Sequence, residues 1–254
     1  MTDLTSEQKE RYHRNILLPS IGIEGQKKIL NAQVLIVGSG GLGSPIALYL
    51  AAAGVGHIGI IDADRVDLSN LQRQIIHSTP DLGRLKVESA QEKIERLNPD
   101  TKVTTYHTRL TSDNAEKIIS SWDFIVDATD NFQTKFLIND TCIKLKKPFS
   151  HGAIRAFTGQ TFTHVPGTTC YRCYLQEPPA ENDVPRSHET GVFGAIAGML
   201  GTIQAAEVLK YLTGSGELLT NKLLTFDALN MKFRTMTIHK RDNCICQHPN
   251  KNKI

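Results

Sequence analysis

Short apolar runs alternating with longer amphipathic ones predict an α/β fold, in which a central, mostly parallel sheet is covered by helices and continued by antiparallel strands. Three observations carry this expectation. Val34 to Val37 is an apolar run ending in a glycine-rich turn, and a helical stretch, SPIALYLAAAG, leads from it to a second apolar run, His57 to Ile61. Strand, turn, helix and strand in that order form a βαβ unit, which needs parallel strands with helices on their faces. The same order recurs downstream, and later segments read as strand pairs around tight turns.

Residues 1–31 are expected to hold N-terminal helices. Thr5 or Ser6 can cap the first, with Glu7 and Glu10 near its positive end. LPSIGIEG interrupts the pattern after Leu17, and EGQKKILN resumes it. Beyond the first βαβ unit, Arg84 to Pro99 is a charged amphipathic helix, Val103 to His107 a strand and Asp113 to Ser120 a helix. Asp123 to Thr129 has the composition of a buried strand, and Asn131 to Leu145 that of a helix. PFSHGAIRAFTGQTFTHVPG predicts two strands around a glycine-containing turn. From Thr169 to Glu189 the chain is polar and irregular, with Pro178, Pro179 and Pro185, and connections of that length usually serve function or motion. A helix rich in Gly and Ala follows from about Gly191 to Leu212, and Leu223 to His239 reads as a hairpin before a cysteine-containing tail.

The 254 residues suffice to bury a sizeable core without disulfides. With 40% hydrophobic and 22% charged residues the chain is expected to be globular. A formal net charge of +3 gives no basic excess that would point to nucleic acid. Lys135, Lys144, Lys146 and Lys147, and the tail from Lys240 to Lys253, read as solvated surface. Val34 to Ile61 holds no Asp, Glu, Lys or Arg, but its seven glycines, with Ser39, Ser44, Pro45 and His57, break it into a buried α/β unit rather than a membrane span. Asp3, Glu7 and Glu10 stand where a signal peptide would be basic and then apolar. Five cysteines without a secretory signal suggest metal ligands or free thiols in a reducing cytoplasm.

Gly38, Gly40 and Gly43 fit G-x-G-x-x-G between strand and helix, with Gly41 also in the turn. Glycines there let backbone amides approach a phosphate, and the helix offers its N-terminus to negative charge. The plainer alternative is a tight structural turn. Asp62 ends the second strand, where a carboxylate can accept ribose hydroxyls, and Asp64 is either its helper or a solvated strand end. To this point a nicotinamide-dependent oxidoreductase would serve equally. Further charge favours a triphosphate: Arg73, Lys86 and Asp130 each stand just beyond a strand or at a helix start. A triphosphate carries about four negative charges and needs cations plus a metal held by a carboxylate, more than a pyrophosphate does. Lys86 alone would pass for a surface residue of its helix.

GSGGLGS, DADRVDLSNLQRQ, Arg14 in RYHRNILLP, GRLKVESA and VDATDNFQTKFLIND together resemble the bacterial adenylating enzymes related to ubiquitin-activating enzymes, over essentially the whole chain. Their known types act on the molybdopterin-synthase small subunit or on the thiamine-pathway sulfur carrier. The resemblance implies a Rossmann-like nucleotide-binding fold in a homodimer. It implies that ATP and Mg²⁺ adenylate the C-terminal glycine of a small ubiquitin-like sulfur-carrier protein ending in Gly-Gly. By the same resemblance Gly41 lies beside the phosphates, Asp62 binds the ribose, Asn70, Arg73 and Lys86 contact phosphates and ribose, and Asp130 serves Mg²⁺. Gln74 supports this shell, and Arg14 reaches the triphosphate of the neighbouring subunit. Residues 1–254 are then one adenylating domain, with N-terminal helices at 1–31 and a nucleotide-binding core at 32–165. A crossover loop occupies 166–190, and a long helix, hairpin and metal-binding tail occupy 191–254.

Cys170 and Cys173 form a C-x₂-C pair, suited to redox chemistry or to half of a tetrahedral zinc site. Cys244 and Cys246, with His248 following, can supply the other half, so structural Zn²⁺ on Cys170, Cys173, Cys244 and Cys246 is expected, with His248 as the substitute ligand. Relatives carry two C-x₂-C pairs, and here the second is shortened to C-x-C. Cys142, in an apolar helix, reads as a buried structural thiol. Some thiamine-type relatives place a reactive cysteine where this chain has His188, in SHETGV. That departure favours the molybdopterin type and an enzyme that stops at the acyl-adenylate; with no room for a sulfurtransferase domain after the cysteine tail, a separate protein is expected as sulfur donor. A non-catalytic scaffold that only binds a partner is the remaining alternative.

Overall fold

The computed structural model describes residues 3–179 and 191–247. Three N-terminal helices, α1 (Ser6–Arg11), α2 (His13–Ile16) and α3 (Gly22–Asn31), precede strand β1 (Gln33–Val37), helix α4 (Gly43–Ala53) and strand β2 (His57–Ile61). Helix α5 (Lys86–Leu97), β3 (Lys102–Tyr106), α6 (Ala115–Ile119), β4 (Phe124–Asp127) and α7 (Phe132–Leu145) follow. After them come β5 (Phe149–Arg155), β6 (Thr158–His164), the single-turn helix α8 (Tyr171–Tyr174), the long helix α9 (Gly194–Thr213), β7 (Lys222–Asp227) and β8 (Lys232–Thr237).

All eight strands join one sheet in the order β3-β2-β1-β4-β5-β6-β7-β8. The first five run parallel, and β6, β7 and β8 are antiparallel. This is the architecture expected from the sequence. Parallel strands are covered on both faces, so β1, β2 and β4 are nearly continuous apolar runs. One face packs Ile36, Ile58 and Phe124 under α4, α5 and α9, and the other packs Leu35, Ile125 and Phe149 under α6 and α7. Trp122, the sole tryptophan, is buried in the turn before β4 with its ring against the backbone of Gly59 and 4.6 Å from the ring of His57.

The chain leaves β1 toward β2 on one side and returns to β4 on the other. Val37 pairs with Ile61 and with Asp127, so the carboxyl ends of β1, β2 and β4 are level. A crevice at such a reversal point is where open α/β sheets bind ligands.

Thr5 caps α1 through a reciprocal capping box with Gln8, at 3.1 Å in each direction. The first helical segment breaks at Tyr12, whose buried ring sits over Gly54 at the carboxyl end of α4. One expectation fails locally. The β5–β6 turn holds no glycine: Ala156 takes the positive φ of 50°, while Gly152 and Gly159 lie within the strands, against Gln204 and Phe226. The polar stretch after Thr169 begins with a helical turn, α8. Among the described residues, no helix is long and apolar enough to cross a membrane, and the uncharged segment divides into β1, α4 and β2.

Candidate active site

Gly38 leaves β1 with a φ of 96°, and a Cβ there would lie 2.8 Å from the carbonyl oxygen of Ala128, so only glycine lets the turn rest on the end of β4. At Gly43 a Cβ would collide with the Gly38 carbonyl oxygen at 2.0 Å. At Gly41 it would meet Ala197 of α9 at 3.1 Å and the Arg73 side chain at 3.4 Å. The turn is therefore a bare backbone cradle, walled by α9 and Arg73, that side chains would fill. Ser39 anchors it: its N–H and its hydroxyl both donate to Asp62, at 2.9 Å. The other Asp62 oxygen accepts the Asp64 N–H at 2.9 Å, so the expected ribose acceptor also fastens the turn to the end of β2.

Residues 62–86 wrap around this cradle. Asp67 and Asn70 close a reciprocal cap, and the Arg73 guanidinium donates to the Ser69 carbonyl at 3.1 Å. Gln74 is buried beside Gly40, and its Oε1 has no partner among the described residues. Lys86 opens α5 with its side chain 7% exposed and its Nζ 3.2 Å from Asp64. It is thus no ordinary surface lysine, and Asp64 is its counter-ion. Asp81 accepts from the Ser78 N–H at 2.8 Å, Arg84 at 2.8 Å and Lys93 at 3.0 Å, holding the loop to α5.

On the other side of β1, Asp130 is exposed, three residues beyond the end of β4. Beneath it lies a charged cluster that sequence reasoning missed. Lys135 Nζ lies 3.1 Å from Asp127 and donates to the carbonyls of Thr129 and Gly152 at 2.7 Å each. His151 Nδ1 is 2.9 Å from Asp127, whose other oxygen accepts the Thr129 N–H and hydroxyl. Reading Lys135 as solvated surface was wrong: it is 5% exposed, turned inward by the carboxylate at the strand end. The signal for it was an acid at the end of an apolar strand, which needs a counter-charge when buried. Burial alone would raise the Asp127 pKa, but the Lys135 charge with the His151 and Thr129 hydrogen bonds brings it down to about 2. Burial, against the pull of Asp127, leaves the His151 pKa lowered.

The chain does not bring Arg14 to this cleft. Arg14 is exposed on α2, two residues from Tyr12 at the far end of α4, and eleven helical residues span about 16 Å.

Cys170, Cys173, Cys244 and Cys246 converge, with all four sulfurs within 4.8 Å of one another and the nearest pairs at 3.4–3.5 Å. Zinc–sulfur bonds of about 2.3 Å in a tetrahedron need sulfurs about 3.8 Å apart, so the shortened C-x-C spacing reaches the geometry of a metal site. None of the four is in a disulfide. The set could hold a metal such as zinc, as expected, and it lies away from the glycine turn. His248 and His188 fall outside the described residues. Cys142 is fully buried, and burial with the nearby Asp127 charge pushes its pKa up, as suits an inert thiol.

A model of the ThiF family matches residues 12–247. The chain belongs to the ThiF family. It is 44% identical over 246 residues to the sulfur carrier protein adenylyltransferase of Thermus thermophilus, a match spanning 94% of this chain and 91% of that protein. It is also 44% identical over 248 residues to the adenylyltransferase and sulfurtransferase MOCS3 of Culex quinquefasciatus, and over 242 residues to the probable adenylyltransferase/sulfurtransferase MoeZ of Mycobacterium tuberculosis. The ThiF chain spans only 56% and 62% of those two relatives. Among solved structures, E. coli MccB with ATP superposes with a TM-score of 0.82 at 25% identity, covering 93% of this chain and 74% of that one. MccB with MccA-N7isoASN gives 0.83 at 24% identity, covering 95% and 74%.

Proposed function

We propose that this chain, an adenylyltransferase of the ThiF family, uses ATP and Mg²⁺ to adenylate the C-terminal glycine of a small ubiquitin-like sulfur-carrier protein ending in Gly-Gly. The observation that carries the reading is one cleft, at the carboxyl ends of β1, β2 and β4, that gathers a side-chain-free turn, two cations and a carboxylate. The T. thermophilus relative, named for a sulfur carrier and matched almost end to end, supports the substrate class.

The chemistry suits that inventory. A carrier carboxylate is already ionised at neutral pH, so it attacks the α-phosphorus without a general base. A carboxylate oxygen–phosphorus bond forms, the bond from the α-phosphorus to the bridging oxygen breaks, and that oxygen leaves with pyrophosphate. Catalysis then consists of holding two anions together while cations offset the charge on the leaving group. Gly38, Gly40, Gly41 and Gly43 present backbone to the phosphates, Asp62 receives the ribose, Asn70 and Arg73 flank the triphosphate, and Gln74 backs the turn. Lys86 directs its charge inward from α5. Asp130 would hold Mg²⁺, which when bound neutralises phosphate charge. Cys170, Cys173, Cys244 and Cys246 would hold Zn²⁺ in a closed, structural site.

Arg14 completes the site from a second copy of the chain, since its own fold keeps it at the opposite end of α4. Exposed Leu17, Leu18 and Ile23 beside it supply apolar surface for that homodimer. The preferred carrier is the molybdopterin-synthase small subunit, because His188 stands where some thiamine-type relatives carry a reactive cysteine; a separate protein supplies the sulfur, and the reaction runs in the cytoplasm. Carrier-dependent ATP–pyrophosphate exchange with each Gly-Gly-tailed candidate tests the proposal. Exchange with the molybdopterin carrier is expected, preference for the thiamine carrier would reverse the assignment, and no exchange with any carrier would overturn it.

A further inference from the structure

His77 is buried at 5% exposure between three parts of the cleft, and no step above uses it. Its Nε2 lies 3.2 Å from the Ser39 carbonyl oxygen in the glycine turn, and its Nδ1 lies 2.9 Å from the Ser89 hydroxyl of α5, one helical turn beyond Lys86. Its own N–H donates to the Gln74 carbonyl at 3.0 Å, in the segment that carries Arg73. A carbonyl can only accept, so Nε2 carries the hydrogen and Nδ1 accepts from Ser89. Burial lowers the pKa of the ring, which keeps this neutral form at pH 7.

The consequence lies in the peptide plane. In a trans peptide the carbonyl and the following N–H point in opposite directions. Holding the Ser39 carbonyl inward on His77 therefore turns the Gly40 N–H away from the core. The next peptide is fixed in the same sense, because the Gly40 carbonyl accepts the Ser44 N–H at 2.9 Å and the Ser44 hydroxyl at 2.7 Å, which turns the Gly41 N–H outward. Ser39 is thus held at its N–H and hydroxyl by Asp62 and at its carbonyl by His77.

We propose that His77 is a positioning residue for the phosphate site: it aims the Gly40 N–H at the nucleotide phosphates and sets the distance from the glycine turn to the helix that carries Lys86. It touches no substrate and moves no proton. The inference rests on the adenylation reading.

Amide side chains separate its two contacts. His77→Gln places an amide nitrogen where Nε2 lies and keeps the bond to Ser39, whereas His77→Asn reaches only the Nδ1 position and leaves the Ser39 carbonyl without a donor. Binding of a non-hydrolysable ATP analogue by titration, KM for ATP and for carrier in pyrophosphate exchange, and thermal melting are measured on each. His77→Gln should hold the analogue Kd within about threefold. His77→Asn should raise that Kd, and the KM for ATP, about tenfold, as loss of one hydrogen bond does, with the carrier KM unchanged and melting close to that of His77→Gln. Equal Kd values for the two variants, or losses that merely follow their melting temperatures, would overturn the role. If His77→Asn does not fold, Ser89→Ala decides: a Kd raised about threefold supports the role, and an unchanged Kd refutes it. Wild-type protein that neither binds the analogue nor supports exchange defeats the adenylation reading itself, which is a different result from wild-type exchange with an Asn variant of normal Kd.

Discussion

From β3 to β5 every strand runs the same way beneath helices, while from β6 to β8 the strands alternate in direction and all six residues of β8 are exposed. The parallel half fixes its functional groups through backbone. Level strand ends, a glycine turn and inward-facing charges define the cleft there. The antiparallel half has one bare edge, and its C-terminal segment is gathered by four sulfur atoms instead. The first half is buried on two faces, whereas the C-terminal segment of the second is tied in where Cys244 and Cys246 converge on Cys170 and Cys173 in a set that could hold a metal. The halves meet along the β5–β6 ladder and again at Tyr171, between the first two cysteines, whose ring lies 4.5 Å from that of His151.

The contrast can be broken most directly at Asp130. Asp130→Ala should lower carrier-dependent pyrophosphate exchange by about a thousandfold or more in protein that remains folded, because it removes an exposed charged group from the reaction and not from the core. Wild-type exchange in this variant would refute the placement of Mg²⁺.

Lys135→Met tests how far the parallel half relies on buried charge. It strands Asp127 in the core and should cost about 3–5 kcal/mol in urea unfolding, the usual effect of removing one partner of a buried pair. A loss below about 1 kcal/mol would mean that water reaches Asp127.

On the other side of the comparison, metal analysis should find about one Zn²⁺ per chain. Cys170→Ser should lower the melting temperature by about 5–10 °C while sparing the exchange rate of the protein that remains folded. Loss of exchange in folded Cys170→Ser would show that the cysteine cluster is coupled to the parallel half. Cys246→Ser should lose zinc and His248→Ala should keep it; full occupancy in both would mean that another residue completes the site.

The smallest expected effect is acid sensitivity. Asp127 binds a proton less readily in the folded chain, at about 2, than in the unfolded one, at about 3.9. Its contribution is therefore complete above about pH 4 and is lost as the pH falls towards 2. Chemical denaturation of wild type against Asp127→Asn between pH 5 and pH 2 should show the wild type losing its advantage across that window. Parallel pH profiles would exclude Asp127 as the source.

Much of this contrast was legible in the residues. Apolar runs mark β1, β2 and β4, with glycine beside the first two, because strands buried on both faces leave little room for polar side chains. The cysteine spacing announces a cluster that could hold a metal, because few other roles need four thiols in two close pairs. Lys135 and His77 were not legible. Lys135 sits on a helix among lysines that do face solvent, and its burial is decided by Asp127 across the sheet. His77 meets Ser39 from 38 residues away, a contact set by how loop 62–86 folds back and not by any local pattern. Nor could the β5–β6 turn be placed from glycine, because Gly152 and Gly159 were required for packing against Gln204 and Phe226.

Trp122 gives these two halves a practical asymmetry. As the sole indole, enclosed beside Gly59 and the His57 ring, it makes fluorescence excited selectively at the indole an optical readout of the parallel half. Its emission should be blue-shifted in the native protein and should redden only when the strands around β2 and β4 separate. A metal-sensitive dye followed in the same cuvette would report the sulfur cluster independently. Two colours in one heating scan would then time the release of any metal held by the four cysteines against the melting of the parallel half.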